Sequence, residues 1–250
     1  MPKTSKIEWT EFTWNPVTGC TKLSEGCRHC YAERMAHRLQ AMGMARYAGG
    51  FRVAMHEELV DLPRTLRTPR VIFVNSMSDL FHDEVSDDFI QRVFATMEAC
   101  PQHVFQILTK RSLRLRALAP ELPWPENVWM GVTVENSQAV HRIVDLQEVP
   151  AQVRFLSLEP LLSPLDNLPL DGIGWVIVGG ESGPGARPMV RAWVESIRRQ
   201  CRQNDVPFFF KQWGGVRKHL EGRQLNGRTY DEMPPLGILA SSAPEPLVSA

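Results

Sequence analysis

The chain has 250 residues, of which 43% are hydrophobic and 22% charged, with 28 Lys and Arg balanced by 28 Asp and Glu. That apolar share and that balance exclude disorder over most of the chain, and the length suits one large α/β domain or two small ones. Neutrality removes any global electrostatic drive toward nucleic acid or membrane, while leaving room for a local basic groove.

The N-terminal stretch Met1 to Trp9 lacks the apolar core of a secretion signal, so a cytoplasmic location is expected. No stretch approaches the roughly eighteen consecutive apolar residues of a membrane helix, and no membrane partner is expected. Candidate strands follow at Phe12–Val17, Val71–Asn75, Val104–Thr109, Val128–Thr133, Val153–Leu158, Trp175–Gly179 and Pro207–Lys211. Runs such as Val71-Ile72-Phe73-Val74 and Trp175-Val176-Ile177-Val178 are apolar on both faces, which a strand needs only when both faces are covered, as in a parallel sheet.

Helical periods fill the gaps. Tyr31 to Met42 predicts a helix directly after three crowded cysteines. Ile90, Val93, Phe94 and Met97 fall at i, i+3, i+4, i+7, with Asp87 and Asp88 at the N-terminus where the helix dipole favours negative charge. Val140, Ile143 and Val144 form a second stripe, and Val194, Ile197 and Cys201 a third. From the second strand on, starts lie about 20 to 35 residues apart, the length of a βα unit.

The rhythm predicts a single α/β domain, a partial (β/α) barrel of six or seven parallel strands, over residues 1–215, with a cysteine loop at 18–31. An open doubly wound sheet is the alternative, since periodicity cannot distinguish closure. Residues 216–234 read as a C-terminal extension and 235–250, rich in Pro, Ala and Ser, as a disordered tail.

Both architectures collect ligands at the carboxyl ends of the strands, and polar residues gather there. They include Asn75, Ser76, Ser78 and Asp79 after the second strand and Lys110 after the third. Glu135 follows the fourth, Glu159 the fifth, Gly179, Gly180 and Glu181 the sixth, and Lys211 closes the seventh. Singly, Glu135, Asn136 and Ser182 read equally as helix caps and Lys110 as a solvated charge. Together they outline one mouth.

Cys20, Cys27 and Cys30 form C-x6-C-x2-C on a glycine-containing loop between a strand and a helix. Three thiolates so placed suit three irons of a [4Fe–4S] cluster, leaving the fourth iron open to a ligand such as S-adenosylmethionine. Zinc is the rival, with His37, His56 or His82 as its fourth ligand, and unligated cysteines are the plain alternative. Cys100 and Cys201 read as core residues on helical apolar faces. The glycine-rich stretch Gly179 to Arg187 matches no dinucleotide fingerprint; it reads as a loop wrapping an anionic or nucleoside ligand, with Arg187 pairing to carboxylate or phosphate. Lys110, Arg111, Arg114 and Arg116, with Trp124, Trp129 and Trp213, offer a basic and aromatic surface for a polynucleotide, although a solvated helix face and core tryptophans explain them as well.

Phe12-Thr13-Trp14-Asn15-Pro16-Val17-Thr18-Gly19-Cys20, the spaced Cys27 and Cys30, Met77-Ser78-Asp79-Leu80-Phe81-His82, Leu108-Thr109-Lys110-Arg111, Glu159-Pro160, Val178 to Arg187 and Phe210-Lys211-Gln212-Trp213-Gly214 together resemble a three-cysteine-motif family of unknown function found in phages and bacteria. That family in turn looks distantly like the radical S-adenosylmethionine superfamily. The superfamily's loop is C-x3-C-x2-C, so the loop here is three residues longer; His29 matches an aromatic-type position beside the last cysteine. The resemblance implies a [4Fe–4S] cluster on Cys20, Cys27 and Cys30, a methionine-amine patch at Asn75 to Asp79, and reductive cleavage of S-adenosylmethionine.

On this reading Asp79, Glu159, Glu181 and Lys211 serve catalysis. Asn75, Ser76, Ser78, Glu135, Gly179, Gly180 and Arg187 hold the cofactor. The substrate is a nucleotide or nucleic acid, and a reductant protein supplies electrons. The alternative is a zinc-stabilised, nucleic-acid-associated protein without turnover, and a third reading is a barrel enzyme with merely structural cysteines.

Overall fold

The computed structural model describes residue 5 and residues 7–217 and 222–236. In chain order it contains β1 (Phe12–Trp14), β2 (Val17–Thr18), α1 (Tyr31–Ala41), β3 (Ala54–Met55), β4 (Val71–Val74), α2 (Asp87–Glu98) and β5 (Val104–Thr109). α3 (Ser112–Leu118), β6 (Val128–Thr133), α4 (His141–Gln147), β7 (Val153–Leu158), β8 (Trp175–Gly179), α5 (Arg191–Gln203) and β9 (Phe208–Gln212) follow. Seven strands make one parallel sheet in the order β1-β4-β5-β6-β7-β8-β9, and β2 pairs with β3 in a separate antiparallel ribbon. The sheet is curled into a half-barrel, with β1 and β9 at its two edges. The expected partial (β/α) barrel is therefore the observed fold.

Alternation along each strand divides the core in two. Side chains on the convex face, among them Ile72, Ile107, Met130, Leu156 and Val178, pack against Phe89, Val93, Leu115, Ile143, Val194 and Ile197 of the covering helices. Those on the concave face are largely aromatic: Phe73, Trp129, Phe155, Trp175 and Phe209, closed over by Trp9. The Trp9 indole lies 4.7 Å from Phe73 on β4 and 6.1 Å from Trp175 on β8, centroid to centroid. One ring reaches the second and the sixth strand only because the sheet bends around it. Gly131 makes room for this layer, since a Cβ there would sit 2.5 Å from the Phe155 ring.

α2 starts where its acidic turn predicts, with the Ser86 hydroxyl accepting from Phe89 N at 3.3 Å. Four details differ from expectation. The first strand stops at Trp14 because the Asn15 side-chain carbonyl accepts from Ser76 Oγ and Met77 N, and Pro16 has no N–H to continue the ladder; Val17 then joins the ribbon. The last strand runs to Gln212, through a register shift opposite Val178 and Gly179. On α4 the apolar stripe is Ile143 and Leu146, and Val144 faces solvent. Cys100 is buried just beyond α2 rather than on it.

The extension lies against β9: Asp231 bridges Phe209, Phe210 N donates to Tyr230 O, and Trp175 Nε1 donates to Glu232 O at 2.8 Å. Most of the expected disordered tail, from residue 237 on, falls outside the described residues. Among the described residues no helix is long and apolar enough to cross a membrane.

Candidate metal centre

The cysteine loop is carried by β2 and anchored by backbone. Gly19 has φ +82°, and a Cβ there would lie 2.0 Å from Arg52 O, so only glycine fits. Its N–H donates to Met77 O, and Cys20 N donates to Phe51 O. Cys27 ends a one-turn 3-10 helix, Glu25–Cys27, and Cys30 is the N-cap residue of α1. All three thiols are free and half-buried. Burial, reinforced by the Asp79 carboxylate and opposed by Arg111, pushes the Cys20 thiol up to about 11. Cys27 adds a smaller upward push on the Cys20 thiol, and Lys22, raised chiefly by its hydrogen bond to Glu33, also feels Cys30 and Cys27.

The donor set suits an iron–sulfur cluster. Its ligands are thiolates, each meeting a different iron, and three leave one iron open. The amino end of α1 at Cys30, with Lys22 and Arg111, would offset the negative charge of such a cluster. Among the described residues, no three His, Cys, Asp or Glu side chains stand close enough to share one ion. Two of the histidines considered for zinc are engaged elsewhere. His56 Nε2 is 2.8 Å from Thr18 Oγ1, while His82 Nε2 is 2.8 Å from Thr21 Oγ1 and its Nδ1 accepts from Glu84 N.

Around the loop the strand ends form distinct polar nodes. At the end of β6, Glu135 is fully buried; its Oε2 accepts from Arg142 Nη1 at 2.8 Å, while no donor meets Oε1. Burial pushes this carboxyl up, but the Ser24 hydroxyl and the charges of Arg142 and Lys110 bring it below the ordinary value. Gly26, at the tip of the loop, sits directly over it: a Cβ there would be 3.3 Å from Oε1.

After β8, Glu181 accepts from Arg187 Nε at 2.9 Å, Arg187 Nη2 at 2.7 Å and Arg187 N at 2.9 Å, and lies 3.0 Å from His29 Nδ1. Burial works against ionisation there, yet these donors hold the carboxyl down at about 2. Arg187 also donates to Glu25 O at 2.8 Å, and Arg34 to Ser182 O at 2.8 Å. The glycine-rich loop and the cysteine loop are thus laced together. Gly180 keeps the loop tight, as a Cβ would meet Trp213 O at 1.9 Å.

The remaining acids are also committed. Lys211 Nζ meets both Glu159 oxygens at 2.9 Å, with Gln212 Nε2 approaching Glu159 at 3.3 Å and reaching Ser182 Oγ at 2.8 Å. The local register shift explains how adjacent residues of β9 serve one acid, since bulges re-aim side chains. Asp79 accepts from Thr109 Oγ1 at 2.7 Å, Phe81 N and Lys110 N. Asn75, at φ +60°, holds Val17 N with its carbonyl and leaves Nδ2 buried without a partner. Ser78 donates to Val17 O, and Ser76 to Asn15.

Glu135, Glu181, Arg187 and Ser78 therefore surround the cysteine loop directly, and Glu159 with Lys211 joins them through Gln212 and Ser182. Gly179 faces Glu159 rather than an open groove. The basic stretch is engaged: Arg111 pairs with Asp83, Arg114 with Asp87 and Arg116 with Asp145. Trp129 is a core residue and Trp124 packs against the core. Sequence reasoning missed Ser24, Glu25, Arg34 and Arg142. Arg34, one turn after Cys30 on the predicted helix, carried the one readable signal.

These features define a partial (β/α) barrel whose carboxyl-end mouth is covered by a three-cysteine loop. The chain belongs to a family described as proteins of unknown function (DUF5131), which matches residues 4–234. A search of curated protein sequences gives no match. Among solved structures, a cysteine-to-serine mutant of spore photoproduct lyase is similar at 10% identity with a TM-score of 0.51, covering 81% of this chain and 64% of that one. Spore photoproduct lyase complexed with dinucleoside spore photoproduct gives 9% identity, a TM-score of 0.49 and the same coverages. The likeness is one of fold, and the chain spans less than two thirds of the length of those enzymes.

Proposed function

We propose that this chain is an iron–sulfur enzyme of the radical S-adenosylmethionine type, with Cys20, Cys27 and Cys30 each ligating one iron of a [4Fe–4S] cluster. The carrying observation is three half-buried thiols on the loop after the first strand, laced over an acid-lined mouth by Arg187 and Arg34. Held by Cys20, Cys27 and Cys30, such a cluster would supply one-electron reductive chemistry toward a sulfonium ligand.

The protein's own residues divide the remaining tasks. Glu135, ionised and with Oε1 free beneath the loop, accepts a hydrogen bond from a ligand in the mouth. The Asn75 amide, buried and with Nδ2 unpartnered, is a donor for the same ligand. Glu159 and Lys211 form an ion pair that opens to hold a polar group of the substrate, Lys211 taking an anion and Glu159 a hydroxyl or amine. Glu181 and Asp79, whose oxygens are already occupied, act as positioning residues: Glu181 through His29 and Arg187, Asp79 through Thr109 and Lys110. The laced loops exclude water from the reactive species. A reductant protein delivers the electron.

Anaerobic reconstitution with iron and sulfide tests this. Brown protein, loss of colour on Cys→Ala substitution at position 20, 27 or 30, and 5′-deoxyadenosine formed from S-adenosylmethionine under reduction are expected. Colourless protein with one stoichiometric zinc would overturn the reading.

A further inference from the structure

We propose that the open cleft between α1 and the segment 45–54, beginning beside Cys20, binds the phosphates of a single-stranded nucleic acid and so leads a base toward the cysteine loop. What happens at the cysteines rests on the function proposed above; the binding itself does not.

The cleft has a volume of about 960 Å³, and Cys20, His37, Arg46 and Arg52 line it. That places it at the upper end of the size of ligand sites. Arg46 and Arg52 are exposed, and among the described residues no carboxylate pairs with either. Arg92, Arg111, Arg114 and Arg187, by contrast, all have acidic partners. Arg52 donates Nε to Gly49 O at 3.3 Å, which fixes the guanidinium plane and leaves its terminal nitrogens for another acceptor. Of the two acids on the walls, Glu33 is taken by Lys22 at 2.9 Å and Glu84 remains. Two unpaired arginines therefore stand against one unpaired carboxylate on the lining.

The imbalance is local. Residues 20–55 hold six Lys and Arg against two Glu, in a chain whose net charge is zero. Half-buried Phe51 lines the same cleft and offers a ring on which a base stacks. A recessed cleft with unpaired guanidinium forks and a half-buried aromatic ring suits a phosphodiester strand better than the flat face of an acidic protein.

Metal-free full-length protein tests this independently of any cluster. The readout is fluorescence anisotropy with a labelled single strand of about 12 nucleotides, within the range of known single-strand sites, over a salt series. Binding should weaken with salt, and Arg46→Glu with Arg52→Glu should lower affinity at least tenfold. Removing one arginine–phosphate pairing should reduce the log–log salt slope by about 0.7. Reversing Arg199 and Arg202, at the far end of α5, should leave affinity unchanged. Undetectable oligonucleotide binding, equal loss in both double variants, or binding of poly-glutamate in place of the oligonucleotide would overturn the proposal, the last by assigning the cleft to an acidic protein. A strand bound by protein that never assembles a cluster would separate the two readings.

Discussion

Gly131→Ala isolates the packing that shapes the half-barrel. Gly131 lies on β6 and is not among the glycines with left-handed backbone, so alanine strains nothing in the chain itself. In a strand interior, alanine in fact gains about 0.5–1 kcal/mol over glycine. The new Cβ, however, would stand 2.5 Å from two Phe155 ring carbons and 2.7 Å from a third, about 1 Å inside the 3.5–4.0 Å optimum for carbon pairs. The ring is fully buried and cannot retreat: Trp175 lies 5.7 Å away and Trp9 6.4 Å. Overpacking costs about 1–3 kcal/mol, and three approaches this short to a trapped ring put Gly131→Ala at about 2–3, leaving a net loss of roughly 1–2.5 kcal/mol, or about 2–10 °C in Tm for a domain of this size. Thermal unfolding of Gly131→Ala, Phe155→Leu and the double variant measures it. Removing ring atoms should relieve the clash, so the double variant should lose less than the two single losses combined, with a coupling of about 1 kcal/mol. An unchanged or raised Tm for Gly131→Ala, or strictly additive losses, would refute the packing argument.

Three further outcomes are expected. Glu135→Ala leaves the buried Arg142 guanidinium without its carboxylate, and urea unfolding should register a loss of about 3–5 kcal/mol; an exposed-pair value below 1 kcal/mol would contradict the burial. Glu181, held at about 2 against an ordinary 4.5, contributes stability that is present above pH 4.5 and lost as pH falls toward 2. Arg187→Met should therefore flatten the fall of Tm across that window, and a parallel curve would show that the pair does not set it. Gly180→Ala forces a Cβ into the Trp213 carbonyl and should expose the loop 180–187 to limited proteolysis, whereas a resistant variant would refute the close approach.

Much of the fold was legible because a parallel sheet covered on both faces writes runs dense in β-branched and aromatic residues. β5, β6, β7 and β8 begin and end where those runs do. The break after Trp14 was not legible, since apolarity does not report that the Asn15 side chain would turn away to hold Ser76 and Met77. The shift that carries β9 to Gln212 depends on a neighbouring strand, and a single run cannot encode it. In the candidate site, spacing singled out Cys20, Cys27 and Cys30 and topology singled out the acids at strand ends. Their partners did not. His29 meets Glu181 across 152 positions and Arg187 meets Glu25 across 162, and Ser24 or Glu25 alone has nothing to distinguish it from any loop residue.

Trp9 gives the molecule something its hydrogen bonds do not. The ladder ends at β1 and β9, so the sheet is free to splay, yet one indole placed ahead of the first strand touches side chains from β4, β7 and β8. It works as a keystone, fixing curvature from below. With the floor sealed in this way, the upper rim need not close on itself, and loops there can differ in length or chemistry without unfastening the arch.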